Sequence, residues 1–339
     1  MFPVQEILDK LFKDIRREVL GLLTAPIQGG SHLYWLFLLI FVGLSALSYW
    51  RYEKKDDPFS LKSFLSWLFS KKVYFHPSAI VDYKVIVAAA VMGPLCSLLF
   101  AGVSSYLAVG VSKGLVAFFG PPSNQAPWTP WSILFGTVAL GMTIDFTTYL
   151  AHMIHHRVPL LWEIHKIHHS AEVLTPITLF RKHPLEEPLF SVIAAPILAL
   201  FQGVIAYQFA GKMTLVTLFG GNFIYSLFRF AGANLRHSHV WLAWPPWLSR
   251  IFLSPAQHQI HHSVDEKHLD KNYGEIFAIW DWLFGSLYVP RKKENLVFGI
   301  GKGIPQEYPT LLDVYWVPLR NMGRMVFRRK PELAKRPRT

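Results

Sequence analysis

The chain has 339 residues, with 34 lysines and arginines against 22 acids, a formal net charge of +12, 52% hydrophobic residues and only 17% charged ones. Soluble domains carry about a quarter charged residues, so this composition, with a mean hydropathy of +0.27, excludes an ordinary soluble globule, a disordered chain and a collagen-like repeat. One cysteine, Cys96, excludes an intramolecular disulfide, a CxxC zinc ribbon and a Cys-ligated iron–sulfur cluster.

Residues 1–30 read as an amphipathic N-terminal interfacial segment. Lys10, Lys13, Arg16 and Arg17 are interleaved with Leu, Ile and Val, and no small-residue cleavage site follows an uncharged run, so this is not a signal peptide. Residues 31–130 hold transmembrane segments and connecting loops. The stretch 31–50 contains no Asp, Glu, Lys or Arg and reaches the roughly 20 residues a helix needs to cross a bilayer. A second apolar block, 85–110, carries Pro94 and Cys96, and a third, 131–151, is interrupted only by Asp145. The stretches 189–210 and 213–228, separated by Gly211 and Lys212, read as a helical hairpin that either spans or is re-entrant. The chain ends in a basic tail within 291–339, where Arg320, Arg324, Arg328, Arg329, Lys330, Lys335, Arg336 and Arg338 face Glu332 alone.

Lysine and arginine are retained on the cytoplasmic side. Arg51, Lys54, Lys55, Lys62, Lys71, Lys72 and Lys84 lie between the first two spans, so that loop is expected inside. Alternation then puts 111–130, with Lys113 as its single charge, outside, and the third span returns inside as it reaches His152. The expected localisation is an integral, multi-pass membrane protein whose histidine-rich region and tail are cytoplasmic. Beside a membrane such a tail lies against anionic headgroups rather than nucleic acid.

Of the 15 histidines, twelve fall between His152 and His262. His32, His76 and His268 stand alone, and a lone histidine is usually a hydrogen-bonded core residue. The others repeat a spacing: His152 and His156 form HxxxH, His165, His168 and His169 form HxxHH, and His258, His261 and His262 form HxxHH again. Positions i, i+3 and i+4 share one face of a helix, so each cluster reads as a comb of imidazoles aimed at one point. Without metal, many buried ring nitrogens would go unpaired, at about 1–3 kcal/mol each. Eight imidazoles exceed the ligand set of one zinc-like ion, so two ions are implied. Imidazole donors without cysteine suit iron, zinc, copper or nickel. The carboxylate-rich ExxH pattern of soluble di-iron bundles is absent.

The boxes sit in a longer ordered pattern. Asp145, Tyr149, His152, His155 and His156 come first, then Trp162, Glu163, His165, His168, His169 and Ser170, then the Arg181-Lys-His183-Pro184-Leu185-Glu186 run. His237-Ser238-His239 and Gln257-His258-Gln-Ile-His261-His262 follow, and the pattern closes at Asp270-Lys-Asn272-Tyr273-Gly274 and Trp280-Asp281-Trp-Leu-Phe284-Gly285. In this order the motifs resemble the membrane-bound fatty acid hydroxylase/sterol desaturase superfamily of di-iron oxygenases. The ending is similar to its alkylglycerol monooxygenase and bacterial sterol desaturase branch.

The fold expected is all-α: a polytopic membrane helical bundle with a helical histidine-box metal domain on its cytoplasmic face, 131–290 being the catalytic domain. The resemblance implies that His152, His156, His165, His168, His169, His258, His261 and His262 ligate two iron ions. His237 stands where the family has a further histidine, and His183 is the next candidate, as a ligand or as a hydrogen-bond donor to one. His155 and His239 are not assigned, and Met153 stands where the family commonly shows Arg. Asp145 and Tyr149 lie seven and three residues before His152, on its helical face. A carboxylate inside a span is expected to be functional or paired, and Asp145 is expected to orient a ligating imidazole; Asp281 reads equally as a helix cap.

The function expected is O2-dependent hydroxylation or desaturation of an unactivated C–H bond of a lipid, a sterol, fatty acyl chain or ether lipid. Such chemistry lies beyond side chains and belongs to the metals. Phe223, Tyr225, Phe228 and Phe230 are candidates to line the lipid path. No Rossmann, flavin or cytochrome b5 haem motif is present, so electrons are expected from an external donor of cytochrome b5 or ferredoxin type. The competing readings are a membrane dizinc lipid hydrolase or amidase and a non-catalytic membrane metal-binding protein.

Overall fold

A computed structural model describes every residue except 1–3, 29–30, 54–59, 99–102, 123–128, 210–216, 219–220, 302, 305 and 328–339. Lys54, Lys55, Gly211, Lys212 and the basic residues from Arg328 onward therefore lie outside the described residues. In chain order the helices are α1 (Val4–Thr24), α2 (Trp35–Ser48), α3 (Leu61–Leu68), α4 (Lys71–Tyr74), α5 (Pro77–Leu98), α6 (Val103–Phe119), α7 (Pro130–Arg157), α8 (Pro159–His169), α9 (Glu186–Gln208), α10 (Phe223–Phe230), α11 (Pro255–His261), α12 (Ile279–Leu283) and α13 (Leu311–Phe327). The two-residue strands Thr217–Leu218 and Gly221–Asn222 pair antiparallel, and the fold is otherwise helical.

Among the described residues, four stretches are long and apolar enough to cross a membrane: Trp35–Glu53, Pro77–Cys96, Pro130–Arg157 and Glu186–Gln208. Two expectations change. Around the block 85–110, α5 starts earlier, at Pro77, and α6 runs on to Phe119 through residues assigned to an outer loop. The second arm of the 189–228 hairpin is not a spanning helix. Its helical part, α10, has 8 residues, about 12 Å at 1.5 Å per residue, against a hydrocarbon core of about 30 Å.

Local chemistry sets the ends of the helices that carry histidines. At α7, Thr129 accepts the N–H of Ser132, Ser132 reciprocates, and Pro130 occupies the first turn, where its missing N–H is harmless. The 28 residues of α7 reach about 42 Å, so a helix that starts at one membrane boundary carries its last turns beyond the other. Those turns hold His152, His155 and His156. Val158 ends α7 and, with Pro159, starts α8, so the first two boxes are separated by one residue of non-helical backbone. At α11, Ser254 and Gln257 form a second reciprocal cap with Pro255 between them.

Packing then fixes the layer that these ends create. α6 lies along α9, where Gly203 permits the approach: a Cβ there would stand 2.5 Å from the Val111 Cβ. α9 packs on α7, α1 on α5, and α13 on α8 and α5. One apolar cluster, including Phe41, Tyr49, Phe64, Leu68 and Leu235, supports the turn that leads to His237. Another, including Val81, Val85, Ile167, Tyr308 and Val314, backs α8. Between α5 and the α8 side runs a fully buried ion pair: Arg181 Nη1 donates to Asp82 Oδ1 at 2.7 Å. Arg181 also donates to the carbonyls of Ile167 and Ser78 and to Ser170 Oγ, and Thr178 donates to Asp82 Oδ2.

Breaking a buried pair leaves one charge stranded, so Asp82→Ala is expected to destabilise the fold by about 3–5 kcal/mol. Thermal unfolding in detergent measures this, and an unchanged midpoint would contradict the clamp.

Candidate metal centre

The boxes converge in two adjoining groups. His152 and His156 of α7, His165 and His169 of α8 and His261 of α11 form a group of five. His168 of α8, His237, and His258 and His262 of α11 form a group of four. Within each, one nitrogen per residue lies within 4.8 Å of every other, and all nine residues are buried. The rings of His169 and His262 stack across the boundary with centroids 4.5 Å apart.

The expectation that each comb aims at one point is corrected here. In α8 the i and i+4 positions, His165 and His169, serve the group of five, while His168 at i+3 serves the group of four. In α11 the assignment is reversed: His258 and His262 serve the group of four and His261 the group of five. Facing combs wedged between two points divide in this way, because i+3 and i+4 diverge by about 100° on the helix surface.

The residues fit metal ions on their own chemistry. In the group of four, Nε2 of His237 lies 3.1 Å from that of His168, 3.2 Å from that of His262 and 2.9 Å from that of His258, and the last two are 3.2 Å apart. Nitrogens sharing one ion at about 2.0–2.1 Å stand about 3.0–3.4 Å apart. In the group of five, Nε2 of His152, His156, His165, His169 and His261 are all buried without a hydrogen-bond partner. Burial holds His165 and His261 neutral, pushed down to about 3, and drives His168, His169, His237, His258 and His262 well below the ordinary imidazole range. Neutral rings keep the lone pair that a metal needs.

Hydrogen bonds on the opposite nitrogens set the ring orientations. His152 Nδ1 donates to the Tyr273 carbonyl at 2.8 Å, His261 Nδ1 to the Lys271 carbonyl at 2.8 Å, and His165 Nδ1 to Glu186 Oε1 at 3.1 Å. These bonds place the proton outward and the Nε2 lone pair inward. Arg236 Nη2 donates instead to His258 Nδ1 at 3.1 Å. Gln259 holds the turn around His237 by donating from Nε2 to the carbonyls of Leu235, Ser238 and Val240.

Residues 137–286, which contain all nine histidines, match the family model for fatty acid hydroxylase. Over this segment the chain is similar to the fatty acid hydroxylase family. Over 256 residues the chain is 28% identical to the alkylglycerol monooxygenase of Homo sapiens, covering 74% of this chain and 50% of the relative. It is 33% identical over 171 residues to an ornithine lipid hydroxylase of Rhizobium tropici, covering 50% and 47%. A Delta(7)-sterol 5(6)-desaturase of Aspergillus fumigatus is 23% identical over 293 residues, covering 82% and 78%. The chain thus spans about half the length of the human and Rhizobium relatives. No solved structure matches it.

Other residues of the fatty acid hydroxylase segment fall outside the two groups. His183 is in neither group: its Nε2 donates to the Tyr315 carbonyl at 3.2 Å and its Nδ1 accepts the Leu185 N–H at 3.1 Å, so both nitrogens are occupied. His155 Nδ1 donates to the Ala151 carbonyl and its ring packs on Phe190. His239 Nε2 donates to the Trp67 carbonyl. His268 is buried and hydrogen-bonded, as a lone histidine is expected to be, with Nε2 3.2 Å from Glu294 Oε2.

Asp145 and Tyr149 act at one remove. Asp145 accepts the N–H groups of Ile276 and Phe277 and the Trp280 indole N–H, so it is paired as expected, but with backbone and indole rather than with an imidazole. Tyr149 O–H lies 3.3 Å from Ser286 Oγ, which donates to Asp281. Asp281 in turn accepts the N–H groups of Tyr273 and Gly274, so it binds a loop rather than capping a helix. A Cβ on Gly274 would stand 2.9 Å from Asp281 Oδ2. All three residues therefore fix the 273–281 turn, whose Tyr273 carbonyl orients His152. Glu186, Arg236, Tyr273 and Lys271 were not singled out as site residues. Only Glu186, Arg181 and the 270–274 run carried a signal, through the quoted motifs.

Glu186→Gln replaces the carboxyl acceptor behind His165 with a weaker amide and is expected to weaken metal affinity about 10–100-fold. His183→Ala is expected to leave it unchanged. Chelator competition on the purified variants measures both, and equal affinities for Glu186→Gln and the parent protein would contradict the assigned role.

Proposed function

We propose that the protein is a membrane-bound di-iron, O2-dependent oxidoreductase that hydroxylates or desaturates an unactivated C–H bond of a membrane lipid. The observation that carries this reading is the division of nine buried imidazoles into two ligand groups inside a fatty acid hydroxylase segment. Monooxygenase, hydroxylase and desaturase relatives support the lipid substrate. Two irons at these groups supply dioxygen activation and hydrogen abstraction, chemistry outside the reach of side chains.

The chain's own residues bind, orient and exclude. The five ligands from α7, α8 and α11 and the four from α8, α11 and the His237 turn hold the two ions side by side, and His152, His165 and His261 keep their rings fixed through the Tyr273, Glu186 and Lys271 acceptors. Tyr273 and Trp162 pack against the ligand rings, with centroids 5.1 and 5.0 Å from that of His156. Phe190, in the first turns of α9, lies 6.2 Å from His165 and 6.5 Å from His152. This apolar wall keeps water from the reacting centre, and α9, which carries Phe190, is long and apolar enough to span, so the lipid chain reaches the metals along it.

The electron donor is a separate protein of cytochrome b5 or ferredoxin type, because the sequence holds no flavin, nicotinamide or haem motif, and a chain of net charge +12 suits an acidic partner. The lysines and arginines between the first two spans support a cytoplasmic position for the metal layer.

Lipid profiling of membranes with the active protein, against membranes with His168→Ala, tests this reading. Under labelled dioxygen the active protein is expected to yield a lipid heavier by one labelled oxygen, or an unsaturated product lighter by two hydrogens. Identical lipid profiles, or a product whose oxygen comes from water, would overturn it.

A further inference from the structure

Helix α13 carries two apolar faces, and only one of them is used by the fold. Val314, Val317 and Pro318 are buried where α13 packs on α8 and α5. On the opposite side Leu312 is 73% exposed, Trp316 59%, Leu319 40%, Val326 61% and Phe327 86%. At 100° per residue these five fall within a sector of about 100° centred on Leu312 and Gly323. Arg320 and Arg324, both exposed, border this sector along one edge.

An exposed stripe of this kind could be covered by protein or by lipid, and three observations favour lipid. The stripe belongs to a helix held against a membrane-crossing candidate: α13 packs on α5, whose own Val87, Val91 and Leu95 are exposed. Its composition fits a membrane interface, with a tryptophan and large aliphatic residues outward and arginines at the border, where guanidinium groups reach headgroups while their stems cover apolar surface. The charge that follows is also complementary, since Arg328, Arg329, Lys330, Lys335, Arg336 and Arg338 continue the chain against Glu332 alone, and basic clusters beside a membrane bind anionic headgroups.

We propose that α13 is an in-plane membrane helix, seated with its Leu312–Trp316–Leu319 face in the bilayer interface and its arginines against anionic lipid headgroups. The seating bears on the metal layer. Asn321 of α13 donates to Glu163 of α8 at 2.8 Å, and the Tyr315 carbonyl accepts from His183. α8 supplies three of the nine ligands, so α13 ties this ligand helix to the membrane surface.

The test uses the full chain in nanodiscs containing phosphatidylglycerol, in a Cys96→Ser background. Single cysteines replace Leu312, Trp316, Leu319, Arg320 or Arg324 and carry a nitroxide. Its collision rates with oxygen, which concentrates in lipid, and with a water-soluble nickel chelate are compared. Leu312→Cys, Trp316→Cys and Leu319→Cys are expected to show a severalfold higher oxygen-to-nickel ratio than Arg320→Cys and Arg324→Cys, which gives a helical period along α13. Nickel-dominated collisions at all five positions would overturn the proposal by showing a water-exposed face. Low collision with both reagents at 312, 316 and 319 would overturn it by showing a face covered by protein. The readout is independent of turnover, so it stands or falls apart from the proposed activity.

Discussion

A neutral imidazole carries one N–H and one lone pair, and a cluster of such rings facing inward cannot pair them all with one another. In the group of five, every inward Nε2 is buried and unpartnered. His152, His165 and His261 have their single proton committed outward to a carbonyl or carboxylate. Each such lone pair left bare would cost about 1–3 kcal/mol. A cation satisfies them together, and protonation does not, because burial and the neighbouring rings oppose a second charge. The rest of the layer follows from the need to hold nine rings around two points.

The scaffold meets that need with short, capped helices and paired loops. α7 and α8 meet at Val158, which sets their boxes face to face, and the Ser254–Gln257 cap starts α11 so that His258 faces His237. The loop beyond α11 supplies carbonyl acceptors. Asp270 and Asn272 both adopt positive φ there, a conformation that aspartate and asparagine tolerate better than most residues. Asn272 secures the turn by donating to the Gln257 carbonyl and accepting the Tyr288 N–H. Asp145 and Asp281 hold its far end. Asp145 and Asp281 thus spend most of their hydrogen bonds on backbone N–H groups rather than on the ligand rings.

Much of this was legible in the sequence because helical spacing is a local property. The i, i+3, i+4 combs and the apolar stretches at 31–50, 131–151 and 189–210 needed only periodicity and apolar length. What could not be read depends on partners distant in the chain. The exchange of His168 and His261 between groups arises only when α8 and α11 face each other. Asp145 was recognised as paired, yet its partners lie more than 130 residues away, at Ile276, Phe277 and Trp280. His183 shares a motif with Glu186 but turns to the Tyr315 carbonyl. Pro94 marks no boundary, since it lies within α5. The Asp82–Arg181 clamp joins two charges that look unrelated in sequence.

The most direct measurement is the iron content of protein matured in iron-replete cells, taken alongside its turnover and its Mössbauer spectrum. The account predicts two irons per chain at full activity, in two distinct nitrogen-ligand environments, one from the group of five and one from the group of four. Full activity with a single metal ion per chain, or with two ions of which neither is iron, would contradict it.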